Sequence, residues 1–366
     1  MRIGVNAALV GKRHSGVASY IAGLADCLAD LGHDVIVYTS SPSIQNGTRA
    51  HFRRTCGLLA FDRGPFASVL RFLWNQIVLP LRVMRDGVDM IFSQNVDGML
   101  WPPVPQVLVV HDIIPLLYPE EAPRLHEYYK FLVPRLMRRV DCLVTVSDAS
   151  RKDLARHYGI SSDKISVACD GVNGELANPS HDSKPSGLDC ESFFLFVGTF
   201  SPRKNLATVI QALAKVRLDI AESLLVVAYP DNWMAPTVQK IAELGISDRV
   251  IFLDSLRHAE LSYVYRHATA LFLLSEYEGF GLPALEAMLA GTPAVVSDTA
   301  ALAEVVDDAA IKIRAHDAEA AAEAMRRLSL EPPFREEWRQ RGLERARLFT
   351  WQRTGEQLRT LLQPFS

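Results

Sequence analysis

An excess of charge of either sign is the first thing missing. The 366-residue chain sets 39 Lys and Arg against 42 Asp and Glu, a net charge of −3. It therefore lacks the basic surplus of a general nucleic-acid binder. Cysteine is sparse: Cys27, Cys56, Cys142, Cys169 and Cys190 include no CxxC pair, which gives neither a zinc site nor a disulfide framework and suits a reducing cytoplasm. No uninterrupted apolar run reaches the roughly 20 residues that span a bilayer. The sequence enters strand-like residues at once, from Arg2 to Leu9, without a signal-peptide pattern. The expected location is the cytoplasm, or the inner face of the cell membrane as a peripheral protein. The GxGxxG dinucleotide fingerprint is missing from the first glycine loop. No DxD motif follows a strand, and no repeat of solenoid period occurs.

What is present is length and alternation. A chain of this size is two domains by prior, and about half its residues are hydrophobic (49%), enough for two cores. Arg2–Leu9 reads as a strand, and the loop from Gly11 to Gly16 carries Lys12, Arg13 and His14. Val17–Leu31 has helical spacing and Val35–Tyr38 is the next strand, which together make a βαβ unit. From Arg49 to Arg85 there are seven arginines and one acid, Asp62, interleaved with Phe66, Leu70, Phe72, Trp74 and Ile77. A basic, aromatic helical stretch suits an anionic membrane surface; a core helix with a solvated basic side suits it equally. Strands follow at Val88–Ser93 and Gln106–Val110, with His111 and Asp112 at the carboxyl end of the second. Ligands of open parallel sheets bind at such ends; a packing or capping role is the rival for His111. Ile113–Pro123 reads as an apolar loop, Tyr128–Arg139 as a helix, and Ser147-Asp148 as the cap of a helix over Ala149–Tyr158.

Asn173–Asp189 is rich in Gly, Asn, Pro, Ser and Asp and reads as a linker. A second run of alternating strands and helices begins at Phe193. The expected domains are residues 1–180, residues 190–348, and a final helix over 349–366 that crosses back to the first domain. The fold class is α/β, with two Rossmann-like doubly wound domains facing a central cleft.

One stretch organises the second half. Ser275–Glu286 sets Glu278 and Glu286 around Gly279-Phe280-Gly281-Leu282-Pro283, between an apolar strand and a helix with proline in its first turn. A helix N-terminus there would attract an anion. Adjacent Arg203 and Lys204, just after the strand at Phe193–Val197, offer a guanidinium fork and a point charge for a diphosphate; surface Arg-Lys pairs are also common. Two carboxylates could instead form a glycosidase pair, which requires separations of about 5–9.5 Å. Eight residues along a helix is about 12 Å, which favours two carboxylates holding two ends of one ligand.

These residues carry a resemblance. Glu278, seven residues, then Glu286, with the glycine turn inside, is similar to the signature of the retaining glycosyltransferases of family GT4, which have the GT-B fold. Gly198…Arg203-Lys204-Asn205, the Gly16 loop, His111-Asp112, Ser147–Arg151 and Gly171-Val172 match that family in the same order, so the likeness spans nearly the whole chain. It implies that Arg203 and Lys204 bind the donor diphosphate and that Glu286 holds the ribose. It implies that Glu278 and the backbone of Phe280, Gly281 and Leu282 cradle the transferred sugar, and that His111 lies near the reacting carbon. Donor contacts are further implied for Gly16, Gly198, Ser255 and Leu256, and acceptor contacts for Val17, Tyr20, Asp112 and Ile113. The implied mechanism is a same-face displacement without metal or cofactor, in which Arg203 and Lys204 neutralise the diphosphate and the departing phosphate takes the acceptor proton.

Two positions depart from the family pattern. Asp254 stands where glycine is frequent, in a loop expected against the nucleobase, and Asp170-Gly171-Val172-Asn173 inverts the usual Asn-Gly-Val-Asp order. His111-Asp112-Ile113-Ile114-Pro115-Leu116 with Tyr118-Pro119-Glu120 resembles bacterial mannosyltransferases of O-antigen and exopolysaccharide assembly. That resemblance implies GDP-mannose as donor and a glycan or polyprenyl-diphosphate-linked acceptor. A UDP-sugar donor, a sugar-nucleotide epimerase and a non-catalytic sugar-nucleotide-binding subunit remain as alternatives.

Overall fold

Strands that read as continuous apolar runs belong in sheets covered on both faces, and the computed structural model places them so. It describes residues 1–11, 16–41, 44, 48–60, 65–178, 182–254 and 256–365. Lys12, Arg13, His14 and Ser255 lie outside the described residues. The chain divides into two compact units, Met1–Gly171 with Thr350–Ser366, and Val172–Phe349.

The first unit holds β1 (Arg2–Asn6), β2 (Asp34–Thr39), β3 (His51–Arg54), β4 (Met90–Ser93), β5 (Gln106–Val109), β6 (Cys142–Thr145) and β7 (Ile165–Val167). They pair in parallel in the order β3-β2-β1-β4-β5-β6-β7. The centre is dry: Ile3, Val5, Val37, Ile91 and Phe92 have no measurable exposure. The helix Trp351–Leu362 belongs to this unit. Thr350 caps it by accepting from the Arg353 N–H at 3.2 Å. It packs against the helix Gly16–Asp30 where glycines leave room for Trp351. A Cβ on Gly23 would stand 2.0 Å from the Trp351 ring, and one on Gly171 would stand 2.5 Å from its backbone nitrogen.

Two helical runs of this unit contain proline and neither breaks. In Pro65–Arg85, Pro80 lacks the N–H that the Gln76 carbonyl would take, and the chain answers with a wide turn over Trp74–Val78 in which the Leu79 N–H reaches Trp74. In Pro123–Met137, Pro134 is preceded by the same device: the Val133 N–H bonds the Tyr128 carbonyl. Ile113–Pro123, read as a loop, contains one helical turn at Ile114–Leu117.

The second unit holds β8 (Phe193–Gly198), β9 (Ser223–Ala228), β10 (Val250–Leu253), β11 (Ala270–Leu273), β12 (Ala294–Ser297) and β13 (Ile311–Ile313). Their parallel order is β10-β9-β8-β11-β12-β13. Phe194 and Phe272 meet edge to face at 5.3 Å in its core, beside Ile210, Leu213 and Leu224, all wholly buried. The segment read as a linker is not loose along its described length. Leu176 and Leu188 are buried, and Ser183 donates its N–H to Ala259 at 3.1 Å. Asp182 accepts from the Ser262 hydroxyl at 2.9 Å and pairs with Arg266 at 3.4 Å. Composition rich in turn formers marks irregular backbone, and here specific side-chain partners fix that backbone in place.

Candidate functional site

Strand order reverses in the second unit between β8 and β11, so the loops leaving these two strands diverge and open a crevice. The first runs from Gly198 through a helical turn at Pro202–Lys204; the second runs from Leu274 to Gly281. Asn205 joins them. It sits in the left-handed region at φ 53°, closing the turn with its N–H on the Pro202 carbonyl at 2.9 Å. Its side-chain amide donates to the Leu274 carbonyl at 3.1 Å and also to the Ala315 carbonyl. The backbone reinforces this contact, the Glu276 N–H reaching the Arg203 carbonyl at 2.8 Å.

This scaffold brings Arg203, Lys204 and Glu278 together. The Lys204 ammonium donates to Glu278 Oε1 at 2.5 Å, and the Ser275 hydroxyl donates to the same oxygen at 2.7 Å. Arg203 stands 3.9 Å from Glu278 Oε2 and donates to the Tyr277 carbonyl at 2.8 Å. The three side chains are nearly buried, at 6%, 13% and 10% exposure for Arg203, Lys204 and Glu278. Burial alone would push the Glu278 carboxyl up; the charges of Lys204 and Arg203, with the hydrogen bonds, outweigh it and hold the group below its ordinary value. The site therefore sets one ionised carboxylate against the Lys204 ammonium and the Arg203 guanidinium.

Glu286 is in a different environment. It lies on the helix Leu282–Leu289, half-buried, and its Oε2 accepts from the Tyr265 hydroxyl at 2.6 Å. Burial pushes this carboxyl up, partly offset by that hydrogen bond. Glu278 and Glu286 share no hydrogen-bond partner among the described residues. Gly281, at φ 104°, starts the helix, and a Cβ on it would stand 2.3 Å from Leu302. Pro283 occupies the first turn. Phe280 is buried, meeting Phe349 at 5.8 Å. Gly198, Leu282 and Leu256 are half-buried.

The first unit gathers a second group. His111 follows β5 and meets the Tyr20 ring edge to face, centroids 4.6 Å apart, and Tyr20 leans on Trp351 at 5.7 Å. The Ser150 hydroxyl fixes the His111 carbonyl at 3.0 Å. Among the described residues, His111 Nε2 and the Tyr20 hydroxyl are buried without hydrogen-bond partners. Burial pushes the imidazole down to about 4, so His111 is neutral at pH 7 and can donate or accept one hydrogen bond. Asp112 accepts from the Ile114 N–H at 2.9 Å, making a local turn. Ile113 is wholly buried and Tyr20 nearly so. Gly16 and Val17 begin the helix Gly16–Asp30; Gly16 is exposed, and a Cβ there would meet none of the described residues within 4 Å.

Several residues of these clusters went unassigned in the sequence: Ser275, Tyr265, Asn205 and Asp170. The inverted Asp-Gly-Val-Asn order was the signal for the last. Asp170 is buried, its Oδ1 has no hydrogen-bond partner among the described residues, and burial raises its carboxyl to about 8. A carboxyl raised above its unfolded value of about 3.9 stabilises the fold fully below that value, and the contribution is lost as pH rises through the folded value. Asp170→Asn is therefore expected to gain stability over the native protein as pH rises from 5 to 8, on the order of a few kcal/mol, and to level off above. Thermal melts across that range check it; a pH-independent difference would contradict it.

Comparison with known proteins adds three findings. Residues 14–176 match the family model described as Glycosyltransferase Family 4, and residues 180–345 match the one described as Glycosyl transferases group 1. The chain is 31% identical over 227 residues to the O-antigen chain mannosyltransferase RfbU of Salmonella typhimurium, covering 62% of each chain. It is 29% identical over 263 residues to the O-antigen chain mannosyltransferase B of Escherichia coli, covering 67% of each. The match thus spans just under two thirds of the first relative's length. Among solved structures, sucrose-phosphate synthase from Thermosynechococcus elongatus superposes with a TM-score of 0.78 at 22% identity, covering 100% of this chain and 98% of that one, a likeness of fold.

Proposed function

Because this chain belongs to glycosyltransferase family 4, we propose that it transfers a hexose, mannose from GDP-mannose, to a glycan or polyprenyl-diphosphate-linked acceptor in cell-surface polysaccharide synthesis. The observation that carries this reading is the Arg203–Lys204–Glu278 cluster at the strand-order reversal of the second unit. A diphosphate needs cations held where water is scarce, and a hexose needs a carboxylate for its hydroxyls.

In this structure Lys204 is spent on Glu278. An incoming diphosphate, with more negative charge than one carboxylate, draws the ammonium across. Glu278 then turns its freed oxygen to the sugar hydroxyls while Ser275 keeps it oriented. Phosphate binding and sugar grip are coupled through one side chain. Glu286, already paired with Tyr265, holds the ribose hydroxyls. Neutral His111 donates to the sugar near the anomeric carbon. The carbon–phosphate-oxygen bond breaks as the acceptor oxygen attacks from the same face; positive charge develops on the ring, and the leaving phosphate, steadied by Arg203 and Lys204, takes the acceptor proton. The sugar keeps its configuration, and the cations serve in place of a metal ion.

The similarity to O-antigen mannosyltransferases supports mannose. The acceptor's lipid would place the work at the inner face of the membrane. The test is donor turnover with GDP-mannose, measured with and without EDTA. Unchanged turnover in EDTA is expected, with retained anomeric configuration in the product by NMR. Strict Mg²⁺ dependence or inversion contradicts the mechanism, and turnover of UDP-sugars alone replaces the donor.

A further inference from the structure

The sequence leaves the Arg49–Arg85 stretch open between a basic face for an anionic membrane and a core helix with a solvated basic side, and the structure shows where several of its arginines lie. Arg71 is turned inward, paired with Asp97 at 2.7 Å and donating to the Leu59 carbonyl at 2.9 Å. Arg49 pairs with Asp30, and Arg53 lies 3.6 Å from Asp86. What the helical run Pro65–Arg85 presents outward is largely apolar as far as Met84, with Arg85 exposed at its end. Phe66, Val69, Leu73, Ile77, Leu81 and Met84 are all exposed, Phe66 at 77%. They recur every three or four residues, so they form one stripe, about 27 Å long at the helical rise. The opposite face, with Ala67, Trp74, Leu79 and Val83, is buried.

A second group adjoins this stripe from far along the chain. Gln76, beside Ile77, accepts from the Leu100 N–H at 2.8 Å and donates to the Gly98 carbonyl at 3.0 Å. That fixes Trp101, 71% exposed, next to the stripe. The Arg139 guanidinium stacks over the Trp101 ring at 4.9 Å. Leu100, Trp101, Arg135, Arg138 and Arg139 line a cavity of about 280 Å³. No acid occurs between residues 65 and 85 or among these lining residues.

From this juxtaposition we infer that the stripe and the Trp101–arginine cavity form one composite surface that docks on an anionic phospholipid bilayer. The stripe lies in the interface with its apolar side chains among the acyl chains, and the three arginines take lipid phosphates. Three observations select a bilayer. The stripe is long, narrow and continuous, as an interfacial helix requires. The charge lining the cavity is of one sign, complementary to anionic headgroups. An exposed tryptophan stacked on arginine has an apolar body and a polar rim suited to headgroup depth. No described helix is long and apolar enough to cross a membrane, so the helix lies on the surface. The inference rests on the proposed lipid-linked acceptor for its purpose, and its test separates the two.

The full chain is sedimented with sucrose-loaded vesicles of equal parts phosphatidylglycerol and phosphatidylcholine, and with phosphatidylcholine alone. The native protein is expected to pellet with the anionic vesicles. Leu73→Glu with Ile77→Glu is expected to stay in solution. Arg135→Gln with Arg138→Gln is expected to bind anionic vesicles about thirtyfold more weakly, at roughly 1 kcal/mol per arginine. Both variants should keep the native melting response to GDP, since neither touches the donor cluster. Failure of the native protein to pellet, or equal binding by both variants, overturns the surface. A native dimer that L73E/I77E dissociates, with no vesicle binding, assigns the stripe to a second copy and overturns it too. Vesicle binding without any nucleotide response sinks the transferase reading and leaves the surface standing.

Discussion

Lys204→Ala is expected to lower the transfer rate by about 10²–10³-fold, the range for removing one preorganised group that faces developing charge, while the protein stays folded. Two losses combine. The diphosphate loses its point charge, leaving the fork of Arg203 alone. Glu278 also loses the partner whose departure would signal that the donor has arrived. Stability should fall by only about 1.5–3 kcal/mol, the scale of one hydrogen bond to a charged group, because Arg203 and Ser275 still satisfy Glu278. Steady-state kinetics with a circular-dichroism melt as control measures both quantities. A fully active variant would remove Lys204 from the chemistry.

Gly281→Val is expected to be the most destabilising single change at the site. The position needs φ 104°, which a β-branched residue adopts only under strain, and its Cβ would enter the space of Leu302 Cδ2. Leu302 is itself wholly buried and has nowhere to move cheaply. Backbone strain of about 1–3 kcal/mol and overpacking of about 1–3 kcal/mol add, so a fall of roughly 5–20 °C in melting temperature is expected at a few degrees per kcal/mol. Gly16→Ala is the contrast. Its backbone is not left-handed and a Cβ there meets none of the described residues, so stability should hold, and any loss of turnover would report a ligand passing close by. Melting both variants decides the matter; equal stability of the two would contradict the geometry.

Much of this site could be read in the chain because its chemistry sits next to its punctuation. Arg203, Lys204 and Glu278 follow apolar strands directly, and Gly281 and Pro283 mark a helix start by composition alone. Asn205, Ser275 and Tyr265 could not be assigned roles, because each acts on a residue distant in sequence or on a backbone carbonyl exposed only by the strand order. Asp182 shows the same limit from the other side: its neighbours look like a linker until Ser262 and Arg266 are placed around it. For the arginines of Arg49–Arg85 the sequence leaves a membrane-facing side and the solvated side of a core helix equally open. A sequence gives the sign of a charge, and only the packed helix shows that Arg71 faces Asp97 while the outward face is apolar. The helices crossed by Pro80 and Pro134 also survive for a reason that periodicity does not show, a single widened turn ahead of each proline.

The most direct measurement of the central claim is the melting temperature of the native protein and of Lys204→Ala with GDP, UDP, ADP and their sugars. A nucleotide at 100 times its dissociation constant stabilises its site by about 2.7 kcal/mol. The native protein should show that shift with GDP and GDP-mannose, and Lys204→Ala should lose most of it. No response of the native protein to any nucleotide, or an undiminished response in the variant, would contradict the assignment of this cluster to a donor diphosphate.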